Sequence, residues 1–241
     1  MSHAVLLAGG RGTRLRPYTT SLPKPLVPLG EQSIVEIVLQ QLARHGFERA
    51  TLAIGHLGHL IEAVVGDGSQ WGIAVDYVTE DEPLGTIGPV VANLDRFPDH
   101  FLVMNGDVLT DLDYGAILAR HVEREPALTV ATYRREVPID FGVLETDDGR
   151  VVAFREKPTL DYTVSMGVNG ISRSILEGLS PGSPLGFDDL VLHLLETGAR
   201  IDAYPFDGYW LDIGRPEDYD RANQDAGDLL KNLVRPREEP A

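Results

Sequence analysis

Short apolar runs alternate along the chain with stretches that have a helical pattern. The runs are four to six residues long and rich in valine, isoleucine and leucine, which is typical of strands buried inside a sheet. They cover residues 4–8, 51–54, 73–78, 101–104, 128–132, 151–154 and 201–206. We therefore predict a strand at each run.

Other stretches repeat apolar residues at the spacing of one helix face. The clearest places Ile34, Val38 and Leu42 on a single face, with Gly46 positioned to end the helix. Further helices are predicted over residues 112–124, 188–196 and 217–224. The order strand, helix, strand at this spacing predicts βαβ units and a largely parallel sheet.

Residues 143–154 have the pattern of a hairpin. Apolar segments at 143–145 and 151–154 flank the turn sequence Asp147-Asp148-Gly149. We therefore expect an α/β protein, a Rossmann-like three-layer sandwich with a mixed, mostly parallel central sheet. One domain is expected over residues 1–230. Residues 231–241 are charged, contain proline and have no apolar period, which predicts a frayed tail.

The overall composition is that of a globular protein with a strong negative charge. The 241 residues include 43% hydrophobic residues, 21 lysines and arginines, and 37 aspartates and glutamates, for a net charge of −16. Such a charge repels phosphate backbones and anionic lipids, so we expect no nucleic-acid or membrane partner. The absence of cysteine excludes disulfides and thiolate chemistry and agrees with a cytoplasmic location. No signal peptide or membrane span is expected, and formation of a homo-oligomer is left open.

Positive charge is concentrated near the start of the chain. Residues 1–30 contain no acidic residue but include Arg11, Arg14, Arg16 and Lys24. Lysine is otherwise rare, and both Lys24 and Lys157 precede a proline. This distribution indicates a small anion-binding site within an acidic protein.

A glycine-rich segment follows the first predicted strand. Gly9, Gly10 and Gly12 would let backbone N–H groups approach a phosphate. The dinucleotide fingerprint does not fit, because Leu15 stands where its last glycine belongs, and the Gly-Lys-Ser/Thr phosphate loop is absent. We predict that the loop binds phosphates together with Arg14 and Lys24. A plain turn with solvated arginines is the alternative.

Two aspartates follow apolar segments in different parts of the chain. Asp107 comes after the strand at 101–104, and Asp212 follows Trp210 and Leu211. Carboxylates from separate segments could together hold Mg²⁺ against phosphate oxygens, although each could instead cap a helix or form a turn. Asp111 and Asp113 form the D-x-D pattern of metal-dependent glycosyltransferases, but helix capping explains it better.

Six motifs occur along nearly the whole chain in an order that resembles the sugar-phosphate nucleotidyltransferases, also called nucleoside-diphosphate-sugar pyrophosphorylases. They are LLAGGRGTRLRPYTTSLPKPLVPLG (6–30), PLGTIG (83–88), NGD (105–107), FGVLETDDGRVVAFREKP (141–158), GVNGI (167–171) and WLDIGRPEDY (210–219). The resemblance implies that an NTP and a sugar 1-phosphate give an NDP-sugar and pyrophosphate.

The resemblance also implies a role for each matching residue. The catalytic residues would be Arg14, Lys24, Asp107, Lys157 and Asp212. The nucleotide would be bound by Leu7, Ala8, Gly9, Gly10, Gly12, Thr13, Arg14, Lys24, Gly85, Thr86 and Asp107. The sugar phosphate would be bound by Gly142, Glu156, Lys157 and Asn169, and Mg²⁺ by Asp107 and Asp212.

The acidic residues directly before the PLGT motif resemble the corresponding segment of the guanylyltransferases that act on mannose- or heptose-type phosphates. Residues 80–82 are Glu-Asp-Glu, and the donor edge of guanine requires acceptors, so the sequence favours GTP. UTP or dTTP with another sugar phosphate is the alternative. Two further alternatives are a D-x-D glycosyltransferase and a catalytically silent nucleotide-sugar-binding relative.

Overall fold

The computed structural model describes residues 2–80 and 82–234, which form a central sheet with helices on both faces. The strands are β1 (His3–Ala8), β2 (Pro28–Leu29), β3 (Gln32–Ser33), β4 (Arg49–Ile54), β5 (Ala74–Thr79), β6 (His100–Asn105), β7 (Val108–Thr110), β8 (Leu128–Pro138), β9 (Val143–Asp147), β10 (Arg150–Arg155), β11 (Thr159–Ser172), β12 (Ile201–Phe206) and β13 (Trp210–Asp212). The helices are α1 (Ile34–Arg44), α2 (Gly58–Val65), α3 (Gly88–Ala92), α4 (Tyr114–Arg124), α5 (Phe187–Glu196) and α6 (Pro216–Val234).

The central sheet has the strand order β12-β8-β11-β6-β1-β4-β5. Neighbouring strands are parallel except at β11, which runs antiparallel to both β6 and β8. The register places Leu6 of β1 opposite Leu52 of β4 and Met104 of β6. The sheet is therefore mixed and mostly parallel, as the sequence predicts.

Two apolar cores lie on opposite faces of this sheet. On β1 and β6, Leu6 and Met104 belong to the core that contains the buried faces of α1, α2, α4 and α6. Their neighbours Val5 and Val103 belong to the other core, with residues of α3 and α5. Because side chains alternate across a strand, the two cores make three layers, which confirms the predicted sandwich.

The hairpin forms with the predicted turn, but its second strand is exposed and not buried as predicted. Leu144 of β9 pairs with Phe154 of β10, and the connecting Asp148 and Gly149 both have positive φ, as a two-residue hairpin turn requires. This ribbon is a separate two-stranded sheet, however, and Val151 and Phe154 are exposed. The expectation of a buried strand at 151–154 is wrong because the ribbon does not pair with the central sheet.

Two other segments differ from the predictions. Strand β11, which is fourteen residues long, was not predicted, and it pairs with β8 and β6. Helix α6 is longer than the predicted 217–224 and ends at Val234, so residues 231–234 of the predicted tail are helical. Residues 235–241 lie outside the described part of the chain.

Among the residues that the structure describes, no helix combines the length and the apolar character needed to cross a membrane.

Candidate active site

The glycine segment after β1 forms the floor of a cavity at the carboxyl ends of the parallel strands. Gly12 has a φ of +59°, and a Cβ there would lie 3.0 Å from Thr19 Cγ2 and 3.3 Å from Lys24 Cβ. The Thr19 hydroxyl donates a 2.7 Å hydrogen bond to the Gly12 carbonyl oxygen. The backbone is thus folded tightly onto the segment that carries Lys24. The cavity, of about 240 Å³, is lined by Leu7, Ala8, Gly10, Gly12, Thr13, Arg14, Lys24, Pro25, Gly106, Asp107 and Gly214.

Asp107 is held in this cavity by the end of β6. The backbone N–H of Gly106 donates to the Leu7 carbonyl oxygen at 3.0 Å, which fixes the turn before Asp107. Asp107 Oδ2 forms an ion pair with Lys24 Nζ. Its Oδ1 atom is buried and has no hydrogen-bond partner among the described residues. An unpartnered buried carboxylate oxygen is costly unless it binds a ligand.

Asp212 approaches Asp107 through a second strand pair. Strand β13 is antiparallel to β7, with Asp212 opposite Val108, and the Ile213 N–H donates to the Asp107 carbonyl oxygen at 3.2 Å. Partial burial raises the pKa of Asp212 above its usual value, and the charge of Asp107 acts in the same direction, whereas Lys24 and Arg14 oppose it. The two carboxyl groups are therefore close enough for the charge of one to affect the pKa of the other, as is expected of groups that share a cation.

The two carboxylates fit a Mg²⁺ site that is completed by water and substrate, rather than a site in which the protein supplies every ligand. The described residues contain no cluster of three or more potential metal ligands. Mg²⁺ commonly takes only one or two carboxylates and completes its coordination with water and substrate phosphates. The unpartnered Oδ1 of Asp107 and the nearby Asp212 satisfy that requirement.

A second cavity of about 340 Å³ adjoins the first and contains Glu80. It is lined by Gly9, Gly10, Gly85, Thr86 and Glu80, together with Leu7, Ala53, Pro83, Pro89, Asn105 and Asp107. Glu80 Oε1 is buried without a hydrogen-bond partner among the described residues. Burial raises the pKa of this carboxyl group. A Cβ at Gly9 would lie 2.9 Å from Glu80 Oε2, so the loop passes close to this side chain.

A third cavity, of about 190 Å³, contains Asn169 on β11. Asn169 is buried and its Nδ2 lies 3.5 Å from the Val103 carbonyl oxygen, while its Oδ1 has no partner among the described residues. The lining residues are Leu7, Thr86, Ile87, Val103, Asn105, Ser165, Gly167, Asn169 and Phe187. Leu7 borders all three cavities, and Thr86 and Asn105 border both the second and the third. The three cavities therefore form one continuous cleft.

The structure does not bring every predicted site residue into this cleft. Gly142, Glu156 and Lys157 are exposed around the β9–β10 ribbon and do not line the three cavities. Asp212 does not line them either, although the Ile213 N–H next to it bonds to Asp107. Gly142 and Glu156 do lie together, since a Cβ at Gly142 would be 3.3 Å from Glu156 Oε2. Lys157 has a φ of +40°, an uncommon conformation for a side chain other than glycine.

The D-x-D aspartates have structural partners. Asp113 is the N-cap of α4 and accepts a 3.0 Å hydrogen bond from the Ala116 N–H, which confirms the capping interpretation. Asp111 accepts a 2.7 Å hydrogen bond from the Tyr209 N–H. Both carboxylates are therefore engaged in holding the backbone.

Among the polar residues that line the cleft, sequence reasoning did not assign Asn105, and it considered Glu80 only as part of the acidic residues 80–82. Asn105 ends β6 within the NGD motif, and Glu80 follows β5 at the same edge of the sheet. Their position at the carboxyl ends of parallel strands was the available signal.

This fold and cleft define an α/β protein whose glycine loop, paired Lys24 and Asp107, and Arg14 lie together at the carboxyl ends of parallel strands. The sequence model of the family described as nucleotidyl transferase matches residues 3–228. The chain therefore belongs to the nucleotidyl transferase family.

Particular relatives are similar over most of this chain. A mannose-1-phosphate guanylyltransferase from Mycobacterium tuberculosis is 35% identical over 229 residues, which are 92% of this chain and 64% of that protein. A UTP–glucose-1-phosphate uridylyltransferase from Synechocystis is 31% identical over 236 residues, covering 90% and 61%. The chain thus spans less than two thirds of the length of either protein.

A solved structure is also similar. HddC from Yersinia pseudotuberculosis complexed with GMP-PN has a TM-score of 0.73 and 27% identity, with 93% of this chain and 99% of that chain covered.

Proposed function

We propose that this protein transfers a nucleotidyl group from an NTP to a sugar 1-phosphate. The observation that carries the proposal is the unpartnered, buried Oδ1 of Asp107, beside Lys24 and Arg14 in a glycine-floored cavity. The glycine backbone and the two cations suit a triphosphate, and the free carboxylate oxygen suits its metal ion. Family membership and the names of the relatives support the same reaction.

The reaction requires positioning and charge stabilisation more than proton transfer. A phosphate oxygen of the sugar 1-phosphate attacks the α-phosphorus, and the bond from that phosphorus to the bridging oxygen of the β-phosphate breaks. Pyrophosphate leaves with the electron pair. The attacking oxygen is already ionised, so no general base is needed. Arg14 and Lys24 would stabilise the charge that develops on the leaving group.

Asp107 and Asp212 would hold Mg²⁺, which neutralises charge on phosphoryl oxygens when it is bound. Lys24 would then exchange its ion pair with Asp107 for contacts with the triphosphate. Lys24 and Asp107 are thus paired with each other until substrate and metal provide other partners.

The sugar phosphate would occupy the cavity that contains Asn169, whose unpartnered Oδ1 can accept a hydrogen bond from a sugar hydroxyl. Lys157 would contact the phosphate, and Glu156 a hydroxyl. Because both are exposed near the ribbon, these roles require the ribbon to approach the cleft when the sugar phosphate binds.

We favour GTP as the nucleotide and a mannose- or heptose-type phosphate as the acceptor. Glu80 presents a carboxylate oxygen without a partner to the cavity that Gly85 and Thr86 also line. Guanine offers adjacent N1–H and N2–H donors that match such an acceptor. The guanylyltransferase from Mycobacterium tuberculosis and the GMP-PN complex of HddC support this preference. UTP is the second candidate, because the Synechocystis relative is named for it.

A screen for pyrophosphate release tests the proposal. GTP, UTP, dTTP and ATP are each incubated with hexose and heptose 1-phosphates and Mg²⁺, and the NDP-sugar is identified by mass. We expect release with GTP and a mannose- or heptose-type phosphate. Consumption of an NDP-sugar without pyrophosphate chemistry would favour the glycosyltransferase alternative, and binding without turnover would favour the silent relative.

A further inference from the structure

A fourth cavity continues the cleft beyond Arg14. It has a volume of about 750 Å³ and lies between residues 133–136 of β8 and the segment from β13 to the first turns of α6. Arg14 and Gly214 line both this cavity and the triphosphate cavity. We call it the arginine cleft. An anion that leaves the triphosphate cavity past Arg14 enters the arginine cleft directly.

The arginine cleft carries more positive than negative side chains, in a chain whose net charge is −16. Its walls include Arg14, Arg134, Arg135, Arg215 and Arg221, against the three carboxylates of Glu136, Asp212 and Asp218. A concentration of arginine inside an acidic protein requires an explanation, because random placement would favour acidic neighbours.

Of these five arginines, only Arg134 forms an ion pair with a carboxylate among the described residues. Arg135, Arg215 and Arg221 make no ion pair with any described residue, whereas Arg134 is paired with Asp161 at 3.0 Å. Asp218 is already engaged, since its Oδ2 accepts a 3.0 Å hydrogen bond from the Arg215 backbone N–H. The unpaired guanidinium groups of Arg135, Arg215 and Arg221 are therefore available to a ligand.

We propose that the arginine cleft is a second binding site for inorganic pyrophosphate, built by Arg135, Arg215 and Arg221 next to Arg14. The choice of pyrophosphate rests on the proposed function, in which pyrophosphate forms on the other side of Arg14. One guanidinium group can donate two parallel hydrogen bonds to the oxygens of a phosphate. A diphosphate can therefore bind two guanidinium groups at once. The aromatic side chains of this wall, Tyr133 and Trp210, pack on each other with ring centroids 5.2 Å apart.

Calorimetric titration with pyrophosphate measures the number of sites. The full chain, without metal, is titrated alone and after saturation with a non-hydrolysable NTP analogue that fills the triphosphate cavity. We expect two pyrophosphate ions per wild-type chain alone and one in the presence of the analogue. The double variant Arg135→Gln/Arg215→Gln should bind one ion alone and none with the analogue.

The matched control is Arg124→Gln/Arg150→Gln, which removes the same charge from exposed positions outside the arginine cleft. It should bind pyrophosphate as the wild type does. In the reverse reaction, the double variant should raise the KM for pyrophosphate about tenfold and leave the KM for the nucleotide sugar unchanged. Thermal unfolding of each variant checks that it folds.

One pyrophosphate per wild-type chain, or a second site that persists in Arg135→Gln/Arg215→Gln, would overturn the inference. Orthophosphate and sugar 1-phosphates should bind the second site at least about tenfold more weakly than pyrophosphate. Equal affinity would contradict its assignment to a diphosphate. Pyrophosphate release from NTP and sugar 1-phosphate by the wild type tests the proposed function separately, so either can fail alone.

Discussion

The two carboxylate oxygens of Asp107 have different surroundings. One carboxylate oxygen neutralises Lys24, and the other is buried without a partner among the described residues. Replacing Asp107 by a neutral amide would leave Lys24 without its counter-ion and remove a negative oxygen from the proposed metal site. Both effects act on catalysis rather than on the apolar cores, to which Asp107 does not belong.

We expect Asp107→Asn to reduce the rate of pyrophosphate release by about a hundredfold or more, with little change in thermal stability. The rate is measured over a range of Mg²⁺ concentrations. Asp113→Asn is the matched control, because asparagine also caps helices and should preserve α4 and activity. An inactive Asp113→Asn beside an active Asp107→Asn would reverse the assignment and support the D-x-D alternative.

Glu80 is the residue on which base preference should depend. We expect Glu80→Gln to lower the ratio of kcat/KM for GTP to that for UTP by about tenfold, because an amide serves uracil better than a carboxylate does. Glu82→Gln makes the same change at an exposed neighbour and should leave the ratio unaltered. If both variants keep the wild-type ratio, base selection lies elsewhere in the cleft.

At the scale of elements, the ribbon β9–β10 and strand β11 are where sequence and structure differ most. The first half of β11 pairs with residues 132–138 of β8, in a part of the sheet that β6 does not reach, and alternates polar with apolar residues. Its register shifts between Ser165 and Asn169. Because its polar–apolar alternation is interrupted and it has no continuous apolar run, β11 could not be predicted from the sequence. The mostly buried strands β1, β4 and β6 could be predicted from their apolar runs.

The residues of the candidate site likewise fall into those that the sequence could predict and those that it could not. Residues that directly follow buried strands, such as Asp107 and the glycine loop, could be predicted because the strand fixes where they emerge. Glu156 and Lys157 follow the exposed ribbon, whose placement no apolar pattern determines. Their roles accordingly remain predictions.

Lys157→Ala tests whether the ribbon takes part in sugar-phosphate binding. We expect the KM for the sugar 1-phosphate to rise about tenfold or more, with a much smaller effect on the KM for the NTP. Arg150→Ala removes a charge from the turn end of the same ribbon and should change neither constant. Equal increases in both constants for Lys157→Ala would contradict a specific contact with the sugar phosphate.

Over the whole molecule, the end of the sheet opposite the cleft contains buried histidines that should make stability depend on pH. His121 is buried and its Nδ1 and Nε2 lie 2.9 Å from Thr129 Oγ1 and 3.2 Å from Ser172 Oγ. Burial lowers the pKa of His121, and likewise that of His3, from 6.5 to about 4. Protonation of either ring therefore favours the unfolded chain.

The stability that these histidines provide should be fully present above pH 6.5 and be lost progressively as the pH falls toward 4. Urea unfolding at intervals across that range measures the slope. His121→Gln should flatten the slope, although it also lowers stability at neutral pH by breaking the hydrogen bonds of the ring. His59→Gln, at an exposed position, should retain the wild-type slope. An unchanged slope in His121→Gln would show that other groups control the acid response.

The central claim is that the cleft joins a nucleotide to a sugar phosphate, and the most direct test follows all the products of one reaction. The wild-type chain is incubated with GTP, mannose 1-phosphate and Mg²⁺, and GDP-mannose and pyrophosphate are quantified together over time. Both products should appear in equal amounts, and Asp107→Asn should form both about a hundredfold or more slowly. Failure to form any NDP-sugar with every NTP and sugar 1-phosphate tested, by a folded protein that binds the nucleotide, would contradict it.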